Sequence, residues 1–190
     1  QTMQLAAELS DVSLNYQLGW PPALIGGGQL HIDDTQITVW TPETTIAGTT
    51  LERAAVNMTL APGTAPLTIQ AVSRDNAVDI QQTLAQLPAL AFADPIVNDL
   101  QIAGDANTEL RISFDLKNLS DTLDVNVGLI LDNARIASDL LALQADQLTG
   151  QIGYQSKTGF YSTDLTATLF GQPVTVEMGP HLTTRADAVL

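Results

Sequence analysis

Few side chains in this sequence could catalyse a reaction or bind a metal ion. The 190 residues include two histidines, His31 and His181, and no cysteine, so a histidine-dependent triad or a zinc site would have to use one of these two imidazoles. A strand would place His31 and Asp33 on one face, which is the arrangement of a weak metal site, although a solvent-facing strand end is the commoner explanation. The sequence offers no nucleophile with a nearby base. We therefore expect no enzymatic activity, no cofactor, and no catalytic or metal-binding residue.

Two further stretches could be taken for ligand-binding loops, but their neighbouring residues or their spacing do not fit. Gly26–Gly28 is not followed by Lys and Ser/Thr and does not open a helix, which excludes a phosphate-binding loop. We interpret this stretch as a flexible connection between strands. Asp121, Asp124, Asp132 and Asp139 do not have the spacing of a calcium-binding loop. They are typical of turns and of sheet edges that discourage pairing with other chains.

The charge balance excludes one class of partner. Seven basic residues against 21 acidic residues give a net charge of −14, which repels nucleic acid and is not attracted to an anionic membrane surface. The sequence has no run of about 18 apolar residues, the length needed to span a membrane as a helix. It opens at Gln1 directly on strand-like sequence, and we expect a piece of a longer polypeptide that carries its anchor elsewhere. The oligomeric state is left open.

Apolar and polar residues alternate along most of the chain, as they do in strands with one apolar face. The clearest antiparallel pair is Leu110–Leu116 with Leu123–Leu131. The alternation changes phase at Ser10-Asp11, which predicts a bulge or a break in the strand, whereas Asp33-Asp34 and Asp132-Asn133 are predicted to be turns. In total we predict roughly ten to twelve antiparallel strands and one short α-helix near residues 76–87.

A sheet with one apolar face must bury that face. It can fold back as a sandwich or a closed barrel, in which the apolar faces meet each other and no ligand is implied. It can instead curl into an open trough, which requires an apolar ligand. Only 5% of the residues are aromatic, so an aliphatic trough would suit acyl chains better than sugars, which stack on aromatic rings. Both alternatives remain open from the pattern alone.

Three parts of the chain contain motifs of a known family. The two most specific elements are Trp20-Pro21-Pro22 and Leu169–Val174. The motifs follow one another along most of the chain, in segments Val12–Tyr16, Gly19–Leu24, Gly28–Ile32, Pro66–Ile69, 76–87, Ala103-Gly104, Leu110–Leu116, Leu148–Ile152, Gly159–Tyr161 and Ala167–Val174. In these segments, and in their order, the chain resembles the AsmA-like superfamily, and most closely its YhdP-type branch.

The resemblance implies a mainly β fold in which antiparallel strands form a curved, trough-like (taco-like) open sheet. It implies that residues 1–190 are a single β-rich segment of a larger, repeat-built protein. This protein would be anchored in the inner membrane of a Gram-negative bacterium, with the segment in the periplasm. Its hydrophobic groove would carry phospholipid between the inner and outer membranes and support outer-membrane integrity. The implied partners are phospholipid acyl chains and neighbouring β-repeats of the same polypeptide. The alternative is a structural or interaction β-sandwich of an envelope protein, with no lipid ligand.

The apolar residues of the most regular strands are the candidates for the groove lining. They are Ile37, Val39, Val56, Met58, Leu110, Ile112, Phe114, Leu116, Val125, Val127, Leu129, Leu165, Leu169, Val174 and Val176.

Strand-like sequence lies close to both ends of the chain. We therefore expect both ends to form sheet edges that continue into neighbouring repeats.

Overall fold

A computed structural model describes residues 3–15, 21–76, 78, 82, 99–140 and 142–179, and this part of the chain is almost entirely β-structure. It contains eleven strands and one short helix with assigned bounds. The strands are β1 (Gln4–Leu14), β2 (Ala23–Asp33), β3 (Gln36–Ile46), β4 (Thr49–Thr59), β5 (Pro66–Asn76), β6 (Leu100–Ala103), β7 (Asp105–Asp115), β8 (Asp124–Ser138), β9 (Leu143–Gln155), β10 (Gly159–Leu169) and β11 (Gln172–Val176), and the helix is α1 (Leu119–Thr122).

All the strands with assigned bounds belong to one antiparallel sheet. Its order is β1-β2-β3-β4-β5-β7-β8-β9-β10-β11, and the short β6 pairs with the second half of β8. The strands follow one another as a meander, so nearly every neighbour in space is also the neighbour in sequence. Because β1 and β11 do not pair with each other, the sheet is open. The prediction of an open antiparallel sheet is confirmed.

Tight turns set the register of the hairpins. The predicted hairpin at Asp33-Asp34 is present: Asp34 takes a positive φ of 54° in the turn, and Ile32 pairs with Ile37. Ala47 and Gly48 have φ values of 52° and 95°, and positive φ at both central residues produces a turn whose twist matches that of paired strands. A turn of this kind fixes which side chains of the two strands share a face.

Bulges shift the alternation in the middle of several strands. In β8, Leu131 and Ala134 are both buried, and two exposed residues, Asp132 and Asn133, lie between them where regular alternation would allow one. Asn133 has a φ of 52°, and the β8–β9 register shifts beside it. Similar shifts interrupt the β2–β3, β4–β5 and β9–β10 ladders. Bulges bend the strands that carry them, and we attribute the curvature of the sheet to them.

Two sequence-based interpretations are therefore wrong. Asp132-Asn133 is not a turn between strands but a bulge inside β8, because the chain continues in the same direction and only its phase changes. Gly26–Gly28 is not a flexible connection but the middle of β2. At Gly28 a Cβ atom would lie 2.7 Å from the carbonyl oxygen of Trp40, so glycine allows the close approach of β3.

Most of the predicted helix near 76–87 lies outside the described residues. Within that range Val78 and Gln82 are helical, whereas Asn76 is the last residue of β5. The helix α1 was not predicted. It is a single turn in the polar segment between β7 and β8, and four residues are too few to show the apolar period of a helix. The hydroxyl of Thr122 holds this turn against the sheet by accepting a hydrogen bond from the backbone N–H of Asp115 at 2.8 Å.

Apolar side chains pack into two clusters on one face of the sheet. The larger cluster joins β7–β10 and includes Leu131, Leu148 and Leu165, each at most 4% exposed. The smaller cluster centres on Ile112 and Val125. No helix among the described residues combines the length and the apolar character needed to cross a membrane.

Candidate functional site

The apolar side chains of successive strands share one face of the sheet. Val39 pairs with Val56, which pairs with Ile69. Ile69 pairs with Ile112, which pairs with Val125. Directly paired residues point to the same side of a sheet, so this row crosses five strands on a single face. We call it the inner face.

The inner face forms a groove over its first six long strands. Side chains of β1–β5 and β7 surround one cavity of about 200 Å³. A flat sheet cannot enclose such a space, so the sheet curves toward its apolar side. Six of the fifteen candidates line this groove: Val39, Val56, Leu110, Ile112, Phe114 and Leu116.

The other nine candidates also lie on the inner face but away from the groove cavity. Ile37 and Met58 pair with each other. Val125 and Val127 belong to the smaller cluster. The remaining five belong to the larger cluster or pack against it: Leu129, Leu165, Leu169, Val174 and Val176. That these residues contact lipid remains a prediction.

Comparison with protein families matches residues 1–189 of this chain to the YhdP protein family. The chain belongs to the YhdP family. This match agrees with the resemblance carried by the sequence motifs and covers almost the whole chain. Comparisons with curated proteins and with solved structures give no match.

The YhdP-family groove has several lining residues that the sequence pattern did not single out. Apolar examples are Leu14, Ile25, Ile46 and Leu51. The phase of Leu51 was hidden by the bulge that follows it in β4. The inner face also carries five hydroxyl side chains that border the groove, which a pattern of hydrophobic residues cannot reveal: Thr41, Thr44, Thr49, Ser73 and Thr108.

One end of the groove is held by a carboxylate. Asp115 ends β7 and accepts hydrogen bonds from the Thr64 hydroxyl and from the backbone N–H groups of Ala65, at 3.0 Å, and Lys117, at 2.8 Å. The Thr64 hydroxyl, followed by the two backbone donors, lowers the pKa of Asp115 below its usual value. Leu116, the next residue, lines the groove. The carboxylate thus fixes the loop between β4 and β5 beside the groove end.

The opposite, outer face is more polar than the inner face. It has a shallow depression of about 480 Å³ lined by Trp40, Gln70, Arg111 and Gln151, among others. His31 is exposed on this face, opposite Thr38 on β3, whereas His181 lies outside the described residues. In the part of the chain that the structure describes, no three His, Asp or Glu side chains converge as metal ligands would. The two faces therefore differ sharply in polarity.

Proposed function

We propose that this chain is a segment of a periplasmic protein whose hydrophobic groove carries phospholipid between the inner and outer membranes. The observation that supports this most is the continuous apolar inner face of a sheet that is open at both edges. Over the groove cavity, where the side chains of this face do not cover one another, such a face needs an apolar occupant. Membership of the YhdP family supports the same function.

The groove lining suits acyl chains. The described side chains around the cavity are mostly aliphatic, with five hydroxyl groups and with Phe114 as the one aromatic ring, and none of them is ionisable. Burial of each CH₂ group of an acyl chain contributes about 0.8 kcal/mol, so even part of a chain would bind. The cavity of about 200 Å³ is smaller than the 300–1,000 Å³ of pockets that enclose whole drug-sized ligands. We infer that the acyl chains enter and that the headgroup stays outside.

The single sheet weighs against the sandwich alternative. A β-sandwich places two sheets face to face, with about 10 Å between them. The eleven strands described here form one sheet, so no second sheet among them covers the inner face. A ligand-free structural module therefore has less support than a groove.

The groove would continue into neighbouring β-repeats of the same polypeptide. At the β1 edge the inner-face side chains Met3, Leu5 and Leu14 are exposed by 58%, 48% and 43%. A domain that ended there would leave these side chains in water, whereas a further strand would cover them. We propose that adjacent repeats extend the sheet and its groove toward an inner-membrane anchor.

Native mass spectrometry tests the proposed function. The purified chain, incubated with vesicles of zwitterionic phospholipid and then separated from them, should carry one or more lipids as a defined mass increment. Ala54→Leu should reduce the bound fraction, because Ala54 borders the groove. Ala55→Leu is the matched control, since the next residue of the same strand points outward. Ligand-free protein in every preparation, or equal loss in both variants, would refute the groove function.

A further inference from the structure

Two hydroxyl groups lie in the apolar groove with no hydrogen-bond partner. Ser73 on β5 and Thr108 on β7 are directly paired across the ladder. Their side chains border the groove cavity, and they are only 1% and 7% exposed. Neither Ser73 Oγ nor Thr108 Oγ1 forms a hydrogen bond. Burial of a hydroxyl without a hydrogen-bond partner destabilises a fold. The presence of these two hydroxyls in the groove is therefore not explained by a contribution to stability.

Two other hydroxyl side chains of the groove, those of Thr41 and Thr44, form hydrogen bonds with a structural role. The Thr41 hydroxyl donates to the carbonyl oxygen of Glu43 at 2.7 Å, and the Thr44 hydroxyl donates to Thr41 Oγ1 at 3.0 Å. These contacts stabilise the bulge in β3. The β5–β7 ladder that carries Ser73 and Thr108 runs without a register shift. Ser73 also pairs with Leu51 beside the bulge in β4, but neither hydroxyl forms a hydrogen bond that could stabilise this bulge.

The position of the pair along the groove matches the length of an acyl chain. From Ser73 the β5–β7 ladder continues through three apolar pairs, ending at Leu67 and Phe114. At about 3.4 Å per residue this track is about 20 Å long. A bilayer core is about 30 Å thick, so one leaflet holds chains of about 15 Å. The track therefore accommodates one acyl chain, with the hydroxyl pair at the end of the chain.

We propose that Ser73 and Thr108 donate hydrogen bonds to an ester carbonyl of the bound phospholipid and so hold its glycerol backbone at a fixed position in the groove. This inference rests on the proposed function. A hydroxyl donor in an apolar groove needs an acceptor attached to hydrocarbon, and the ester carbonyl meets this requirement without charge. A phosphate would need a cation, and no basic side chain is among the described groove-lining residues. A fatty-acid carboxylate would be repelled by the net charge of −14.

The test compares two lipids that differ in the ester carbonyls. Diacyl phosphatidylethanolamine and its dialkyl ether analogue, with equal chain lengths, are titrated against the chain by displacement of a zwitterionic phospholipid that carries a fluorescent acyl chain. The wild-type chain should bind the ester lipid about fivefold more tightly, the effect of one or two hydrogen bonds. Ser73→Ala with Thr108→Val should abolish this preference and leave ether-lipid binding unchanged. The double variant should fold, because it removes buried unsatisfied hydroxyls and keeps the side-chain shapes.

The matched control is Thr68→Val with Ser113→Ala. These two residues are also directly paired on β5 and β7, but they point to the outer face, and this variant should keep the fivefold preference. Equal affinity of the wild-type chain for both lipids, or a preference that persists in the Ser73/Thr108 variant, would overturn the carbonyl site while leaving the groove intact. Failure of the wild-type chain to bind either lipid would instead overturn the proposed function.

Discussion

Asp115 shows how a single half-buried residue can secure one end of the groove. Its carboxylate accepts three hydrogen bonds, from Thr64, Ala65 and Lys117, and thereby joins the end of β7 to the loop before β5. Each of these bonds favours the ionised form, which is why the pKa of Asp115 is lowered. Asp124, at the start of β8, also has a lowered pKa, chiefly through the Lys157 ammonium at 2.5 Å. These two carboxylates anchor the loops at one end of the sheet.

The lowered pKa values predict acid sensitivity. In the unfolded chain an Asp takes up its proton near pH 3.9, whereas in the fold Asp115 and Asp124 take it up at lower pH. Their contribution to stability is therefore complete above about pH 4 and is lost as the pH falls through the folded pKa values. The melting temperature should change little between pH 7 and 5 on their account and should fall below pH 4.

Asp115→Asn isolates the first of these carboxylates. At pH 7 the variant should melt at a lower temperature than the wild type, and the difference should shrink as the pH falls below 4. Asp34→Asn, in the exposed β2–β3 turn, controls for the loss of one negative charge. A difference between Asp115→Asn and wild type that is the same at pH 7 and pH 3 would contradict the role given to the ionised Asp115.

At the scale of the strand, the bulges require particular backbone conformations in their neighbours. Gly150 on β9 has a φ of 126° and lies beside the bulge at Asp164 on β10, which has a φ of 50°. A Cβ atom on Gly150 would lie 2.4 Å from the carbonyl oxygen of Asp164 and 2.7 Å from the Cα of Leu165. Both atoms belong to the backbone, so no side-chain rotation could relieve the clash. The β9–β10 contact at this bulge thus depends on a glycine.

Gly150→Ala should destabilise the chain by about 2 kcal/mol or more, because it combines a strained φ with a backbone clash. Gly26→Ala is the control, since a Cβ atom there meets nothing within 4 Å. It should change stability by less than about 1 kcal/mol. Urea denaturation of both variants measures the difference in stability. Similar midpoints would contradict the close backbone contact between Gly150 and the bulge at Asp164.

The two faces of β8 predict opposite responses to a new charge. Val127 is 4% exposed and packs in the smaller inner-face cluster, whereas Ile130, three residues further on, lies on the outer face and is 40% exposed. Val127→Asp should lower the free energy of unfolding by at least about 3 kcal/mol, since it buries a carboxylate without a partner. Ile130→Asp should lower the free energy of unfolding by less than about 1 kcal/mol. Thermal melts would contradict this assignment of faces if Ile130→Asp were the more harmful change.

The strands could be predicted wherever the alternation is regular. The pair β7 and β8 follows directly from the alternation in Leu110–Leu116 and Leu123–Leu131, because the period of two is unbroken there. The prediction failed at Asp132-Asn133, where two polar residues suit both a turn and a bulge, and only the partner strand decides between them. Ser73 and Thr108 could not be predicted as groove residues, since polarity alone places hydroxyls outside and only the register places them inside.

At the scale of the whole molecule, the edge strand β1 predicts self-association. The N–H of Asp34 donates to the carbonyl oxygen of Met3 at 2.8 Å, so the odd residues of β1 up to Leu9 bond to β2. The backbone N–H and C=O groups of even residues such as Ala6 then lie in the plane of the sheet and point away from β2, toward the open edge. The isolated chain should associate through this edge as its concentration rises.

Ala6→Pro should weaken the association, because it removes an outward N–H donor without breaking a bond to β2. Ala6→Val keeps the donor and serves as the control. Analytical ultracentrifugation over a range of concentrations measures the effect. A strictly monomeric wild-type chain at high concentration, with slow amide exchange in both β1 and β11, would contradict an edge that continues into further strands.

The central claim is that phospholipid occupies the inner face, and site-specific photocrosslinking tests it most directly. Val39 lines the groove, whereas its neighbour Trp40 points to the outer face and is 44% exposed. A photoreactive amino acid is placed at one of these positions at a time, the chain is loaded with phospholipid and irradiated, and lipid adducts are counted by mass spectrometry. We expect adducts at position 39 and few at position 40. Equal labelling at both positions, or adducts at position 40 alone, would contradict a lipid-carrying groove.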